Sequence, residues 1–257
     1  MRLQWITFTF FFFQSIILFQ PIDALAHKSD AVIAVASNFT EPAKEIAKKF
    51  EESTGYKTIL SFGATGSIYQ QIKNGAPYDV FLAADNHRPS LLIAEGFAVK
   101  ESQLTYAIGT LVLWSASKDL IKGEQSLSAE NINHIAFCNP DAAPYGQAAL
   151  ETMKALNLYT KVQTKLVEGH NISQAFQFVK TGNAEIGFVA LSQIIHEKKG
   201  SFWIVPQKYY HPIEQDGVLL QHGKDNKAAK AFMIFLNGSE ASQILADYGY
   251  RKKKKDL

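Results

Sequence analysis

Apolar residues follow two alternating rhythms along the chain. "AVIAVA" (31–36) is a continuous apolar run, as expected of a strand covered on both faces. In "TEPAKEIAKKFEESTG" the apolar positions Ala43, Ile46, Ala47 and Phe50 fall on one helical face, with Thr40 as N-cap, Pro42 in the first turn and Gly55 after the end. "YKTILSF" predicts the next strand, "SIYQQIKNG" a helix, "YDVFLAA" a third strand and "RPSLLIAEG" another helix. This βαβαβα order predicts an α/β fold with a parallel, doubly wound sheet.

The pattern restarts beyond "YAIGTLVLWSA" (106–116). "HIAFCN", "VQTKLV" and "EIGFVAL" are strand-like, and "YGQAALETMKAL" and "NISQAFQFVKTG" are helical. After "FWIVP" and the polar "IEQDG" comes a last strand, "VLLQ", and two closing helices, "KAAKAFMIFLNG" and "EASQILADYG". Two α/β lobes of similar size are expected, joined by strand-like crossings at 105–114 and 213–221. Lobe one is expected over 27–106 plus 217–250 and lobe two over 107–216, with a ligand in the cleft between them.

The ends of the chain add a compartment. Residues 1–26 combine Arg2, an apolar block and Ala24-Leu25-Ala26, the pattern of a signal peptide cleaved after Ala26. A periplasmic protein follows as the expectation. The end "RKKKKDL" (251–257) is expected to be a disordered basic tail. With both ends set aside the body carries a net charge near −2, which gives no sign of a nucleic-acid partner. The single cysteine, Cys138, cannot form an internal disulfide and is expected to be a buried structural residue.

Four strand-to-helix junctions are alike: Ser37-Asn38, Ser67 after "FGATG", Pro144-Tyr145-Gly146, and Asn171-Ile172-Ser173. Each brings a hydroxyl, an amide or a free backbone N–H to a helix start, at the strand ends where open α/β sheets collect ligands. None contains Lys or Arg, and His170 is the only potential cation in their sequence neighbourhood. Such neutral donors suit an anion, and they favour a fully deprotonated one, because a protonated oxyanion brings an O–H that needs an acceptor. The plain alternative for each junction is an ordinary helix cap.

"AVASNFTEPAKEIAKKFEESTGYKTILSFGATGSIYQQIKNGAPYDVFLAAD", "YAIGTLVLWS", "NPDAAPYGQAALETM", "AEIGFVALSQI" and "ADYGY" together resemble the periplasmic molybdate-binding proteins of ABC importers, over essentially all of 31–250. The resemblance implies the two-lobed type-2 periplasmic binding fold, with molybdate and also tungstate as ligand rather than cofactor, a membrane permease as partner and a monomeric receptor. It implies Ser37 and Ser67 as oxyanion-binding serines, Asn38 as a further donor, and backbone N–H groups of Tyr145 and Ile172. It also implies that the metal is bound only as its oxyanion, with no direct protein ligand. Many members carry a tyrosine at the position of Ala190. A subgroup lacking it places one at Tyr145, whose hydroxyl is then expected to take over that contact.

Other classes remain to be weighed. Tyr209, Tyr210 and His211 could ligate a hard metal, as in a ferric-iron receptor of the same fold, and sulfate or phosphate receptors are near neighbours. Enzyme chemistry has little support: there is no G-x-S-x-G or H-E-x-x-H. Asp79 and Asp85, at opposite ends of one strand roughly 20 Å apart, are too distant for shared acid–base work.

Overall fold

The computed structural model describes residues 30–253. The expected signal peptide and its cleavage site lie outside them, as does the end of the basic tail. In chain order come β1 (Ala31–Ala36), a 3-10 turn (Ser37–Phe39), α1 (Thr40–Thr54), β2 (Thr58–Gly63), α2 (Thr65–Lys73), β3 (Val80–Leu82), α3 (His87–Ala94) and β4 (Leu104–Gly109). Next are β5 (Leu111–Ser115), β6 (Ile135–Cys138), α4 (Pro144–Ala155), α5 (Tyr159–Val162), β7 (Leu166–Gly169), α6 (Ile172–Lys180), β8 (Ile186–Ala190), α7 (Leu191–Ile194) and β9 (Ser201–Ile204). The chain closes with β10 (Ile213–Leu219), α8 (Lys227–Leu236) and α9 (Ser239–Asp247).

These strands form two five-stranded sheets, ordered β2-β1-β3-β10-β4 and β7-β6-β8-β5-β9. Parallel pairs make up the doubly wound part of each sheet: β1 with β2 and β3, and β6 with β7 and β8. The crossing strands enter antiparallel, β10 against β3 and β4, and β5 against β8 and β9. Crossing occurs at Thr110 and again between β9 and β10. The expected boundaries at 106/107 and 216/217 therefore shift: pairing with β10 holds all of β4 in the first sheet, and pairing with β3 and β4 holds β10 there from Ile213.

Alternation along β1 fills both faces of the first sheet. Ile33 and Val35 pack with Phe39, Ile46, Phe50 and Phe232, while Ala34 packs on the other side with Ile68, Phe81 and Leu92. Helix α1 ends as its sequence suggests, with Gly55 at φ 70° and its N–H on the Glu51 carbonyl. The second sheet has its own core around Leu113, Phe137, Met153 and Phe188, and this cluster also takes in Ala36 and Ala84 from the first lobe. The two lobes thus meet at the carboxyl ends of β1 and β3. Cys138 is fully buried there, and burial pushes its thiol up to about 12.

Two local expectations change. Helix α2 begins at Thr65, not at Ser67. The tail is not free from residue 251: Arg251 exchanges backbone hydrogen bonds with Ile108 of β4 (2.8 and 3.1 Å). Its guanidinium also donates to Gln207 (3.2 Å), and Lys253 reaches Glu214 (3.1 Å). Extending the sheet edge orders these residues.

Candidate functional site

The 3-10 turn after β1 and the starts of α2, α4 and α6 converge on the seam between the lobes. Hydrogen bonds cross it: Ser173 Oγ donates to the Ser37 carbonyl (3.1 Å) and Ser192 Oγ to the Asn38 carbonyl (2.9 Å). The Gly66 amide donates to the Ala142 carbonyl (2.8 Å), and Arg88 Nη2 to the Asp141 carbonyl (2.7 Å). Arg88 is a cation that sequence spacing did not bring to the junctions. Its other nitrogen is paired with Asp85 of its own helix start, so it clamps the seam without leaving an unneutralised charge there.

Four of the five expected site residues are buried at this seam: Ser37 (5% exposed), Asn38 (3%), Tyr145 (1%) and Ile172 (3%). Ser37 follows directly from β1, and its carbonyl is engaged by Thr40 and Ser173 while its hydroxyl has no protein partner among the described residues. The N–H groups of Tyr145 and Ile172 lie in the first turns of α4 and α6, where no intrahelical acceptor exists. The Asn171 side chain caps α6 by accepting from the Gln174 N–H (3.0 Å).

Ser67 is different. It is exposed and lines an open pocket at the outer edge of the seam, with Gln70 and His87 on one side and Asn139, Asp141 and Ala142 of the second lobe on the other, apart from the pocket bordered by Ser37 and Asn38. Two residues earlier, Thr65 is the first residue of α2 and is 1% exposed. Its Oγ1 accepts from the Ala84 N–H (3.1 Å), and Ala84 packs in the inter-lobe cluster with Ala36 and Tyr145. With its oxygen engaged, the Thr65 hydroxyl keeps its proton for another partner. The missed signal was the small-residue run itself, which lets the helix begin before Gly66 rather than after it.

Asn38 also departs from expectation. Its side-chain amide is occupied, donating to Gln215 Oε1 (2.9 Å) and to the Tyr250 hydroxyl (3.0 Å), so it is not available as a side-chain donor. What remains is its backbone N–H, in a 3-10 turn whose first amides have no internal acceptor. Ala190 is fully buried at the end of β8, with its N–H bonded to Gln193 Oε1 (3.0 Å). Tyr145 belongs to the same buried cluster as Ala190, and its hydroxyl accepts from Gln215 Nε2 (3.3 Å). Phe39, tilted against Tyr106 with ring centroids 4.9 Å apart and edge-to-face with Tyr250 at 5.4 Å, walls this polar centre on the first-lobe side.

The residues of "KYYH" point in different directions. Tyr210 accepts from the Leu111 N–H (3.2 Å), Tyr209 donates to Glu124 (3.1 Å), and the His211 amide donates to Glu151 (2.9 Å). Among the described residues no group of His, Cys, Asp or Glu is arranged to hold a metal ion.

Burial raises the phenols of Tyr106 and Tyr145 well above their ordinary range and that of Tyr210 less so. It takes Tyr250 to about 12, partly offset by hydrogen bonds with Ser192 and Asn38. Such groups stabilise the fold fully below the unfolded phenol range near pH 10. Between roughly pH 10 and 12 the unfolded chain releases these protons and the folded one keeps them, so stability falls as pH rises. Each phenol contributes a slope of about 1.4 kcal/mol per pH unit in that window. The buried Cys138 thiol, pushed up to about 12, adds the same trend from about pH 9. Urea midpoints should therefore be flat near pH 8, decline gently from about pH 9 and drop steeply between roughly pH 10 and 11.5; a flat profile to pH 11.5 would contradict the burial of these groups.

The family model of bacterial extracellular solute-binding proteins matches residues 31–251. The molybdate-binding protein of Rhodobacter capsulatus is 48% identical over 225 residues, covering 88% of this chain and 89% of that one. That of Azotobacter vinelandii is 49% identical over 229 residues, covering 88% and 91%. Among solved structures, the Azotobacter vinelandii periplasmic molybdate-binding protein superposes with a TM-score of 0.85 at 38% identity, covering 87% of this chain and all of that one. The sulfate-binding protein of Mycobacterium tuberculosis shares the fold, with a TM-score of 0.75 at 14% identity.

Proposed function

Since the chain belongs to the bacterial extracellular solute-binding proteins, and among them to the periplasmic molybdate receptors of ABC transporters, we propose that it holds one molybdate dianion at the meeting point of four helix starts. The donors are the hydroxyls of Ser37, Thr65 and Tyr145 and the backbone N–H groups of Asn38, Tyr145 and Ile172. Thr65 takes the role expected of Ser67. The reading rests on one observation: these groups are buried together at the inter-lobe seam, while Ser67 is exposed at its outer edge.

The protein is a receptor and not an enzyme; molybdate is its ligand, and an ABC permease its partner. Neutral donors do the binding because a dianion already matches the partial positive charge at helix starts. Hydrogen bonds to a charged acceptor, in a site closed to water, are stronger than those between neutral groups. A ligand touching both lobes stabilises the closed form by its differential affinity for it. Tungstate, with the same shape and charge, fits the same donors. The receptor acts as a monomer, delivered to the periplasm by removal of residues 1–26.

Calorimetric titration of the dialysed mature protein is the test. One-to-one binding of molybdate and tungstate is expected, with sulfate and phosphate at least a hundredfold weaker, about 2.7 kcal/mol. Equal or tighter binding of sulfate or phosphate would overturn the reading.

A further inference from the structure

A phenol can give a hydrogen bond or accept one, so the proposed role of Tyr145 depends on what fixes its polarity. A buried relay does so, beginning at the Asn38 backbone carbonyl, which can only accept. Ser192 Oγ and the Tyr250 hydroxyl donate to that carbonyl (2.9 and 3.1 Å), and the Tyr250 hydroxyl also lies 3.0 Å from Ser192 Oγ. With its proton committed to that side, the Tyr250 oxygen accepts from Asn38 Nδ2 (3.0 Å). The second hydrogen of the same amide goes to Gln215 Oε1 (2.9 Å), while the Tyr106 hydroxyl, 3.2 Å away, gives its proton to the Ala83 carbonyl (2.9 Å). The Gln215 amide is thereby oriented with Nε2 toward the Tyr145 oxygen (3.3 Å).

Gln215 is fully buried, and the space for this contact exists because residue 109 is glycine. A Cβ there would overlap the Tyr145 hydroxyl and stand 2.7 Å from Gln215 Nε2. The Thr65 hydroxyl is held in the same sense by the Ala84 N–H.

We propose that Gln215 is a specificity-setting positioning residue: by donating to the Tyr145 oxygen it leaves that hydroxyl facing a bound oxyanion as a donor, and so favours fully deprotonated tetrahedral dianions over those carrying a proton. This rests on the reading that Tyr145 lines the anion site. A hydrogen phosphate must place its own O–H against an acceptor, and a Tyr145 hydroxyl already receiving the Gln215 N–H offers it a proton instead. Removing the Gln215 amide frees Tyr145 to reverse and accept.

The test is Gln215→Met in the mature protein, with molybdate titrated calorimetrically at pH 8 and inorganic phosphate as competitor. Molybdate should weaken roughly fivefold to fifteenfold, as for loss of one oriented hydrogen bond, and the molybdate-to-phosphate affinity ratio should narrow at least tenfold. Tyr145→Phe should weaken molybdate, and in the double variant the gain in phosphate competition should vanish, since it needs the Tyr145 hydroxyl. A general loosening of the fold would instead narrow the ratio equally in both Tyr145 backgrounds, which overturns the proposal. An unchanged ratio in Gln215→Met, with Tyr145→Phe still damaging, also overturns it and leaves the anion site standing. No effect of Tyr145→Phe on molybdate would remove both. If Gln215→Met does not fold, Gly109→Ala separates the same two groups and is judged by the same ratio.

Discussion

Thr65→Val should weaken molybdate binding by about tenfold to a hundredfold, while Ser67→Ala should change it by less than about twofold. The magnitude follows from losing a hydrogen bond to a charged acceptor, about 1.5–3 kcal/mol, at 1.4 kcal/mol per tenfold in affinity. Thr65 is buried as the first residue of α2, and its oxygen is engaged by the Ala84 N–H, so its proton is left for a ligand. Valine keeps the shape and removes both roles, which also strands the Ala84 N–H and should lower stability by about 1–3 kcal/mol. Thr65→Ser keeps the hydroxyl and should retain most of the affinity. Calorimetry on the three variants decides the matter. A larger loss in Ser67→Ala than in Thr65→Val would return the role to the exposed serine.

Gly146→Ala should damage both stability and binding. A Cβ at Gly146 would overlap the Cys138 carbonyl oxygen and stand 2.8 Å from the Asn139 carbonyl oxygen. Both obstacles are backbone, one at the end of β6 and the other just beyond it, and neither can swing aside as a side chain could. Either α4 must lift off the strand or the strand end must bend, and the adjacent Tyr145 moves with it. A loss of about 1–3 kcal/mol or more is expected from such overpacking, read as a lower urea midpoint, with molybdate affinity falling at least tenfold. Gly75→Ala makes the contrast. Gly75 has φ 85° and open space around it, so alanine there should lower stability by about 1 kcal/mol and leave affinity unchanged. Equal effects of the two substitutions on affinity would mean that α4 does not help form the site.

The large features were legible because they are local. The continuous run of β1 and the one-sided spacing of Ala43, Ile46, Ala47 and Phe50 each define an element without reference to the rest of the chain. The start of α2 is not of that kind. It is decided by the Ala84 N–H at the end of β3 and by the Ala142 carbonyl from the other lobe, which engage Thr65 and Gly66. Sequence reading took Gly66 for a loop residue because neither contact is near in the chain. The same reason hid the state of the Asn38 amide, whose partners Gln215 and Tyr250 lie 177 and 212 positions away. Residue type announced a polar group at a helix start, and only tertiary contacts determined whether its hydrogens were free.

The placement of β10 between β3 and β4 has a consequence for how the protein is made. The first sheet lacks its inner strand until the segment from Ile213 to Leu219 has been synthesised, whereas the second sheet draws all its strands from the contiguous stretch Leu111–Ile204. During vectorial emergence the second lobe is complete first, and β3 and β4 wait with the edges that β10 will pair left open. This ordering leaves the first sheet open until β10 arrives. It also concentrates the aggregation hazard into that interval. Competence to capture a ligand then arrives in one late step, when a strand encoded near the end of the chain enters the sheet that the beginning of the chain laid down.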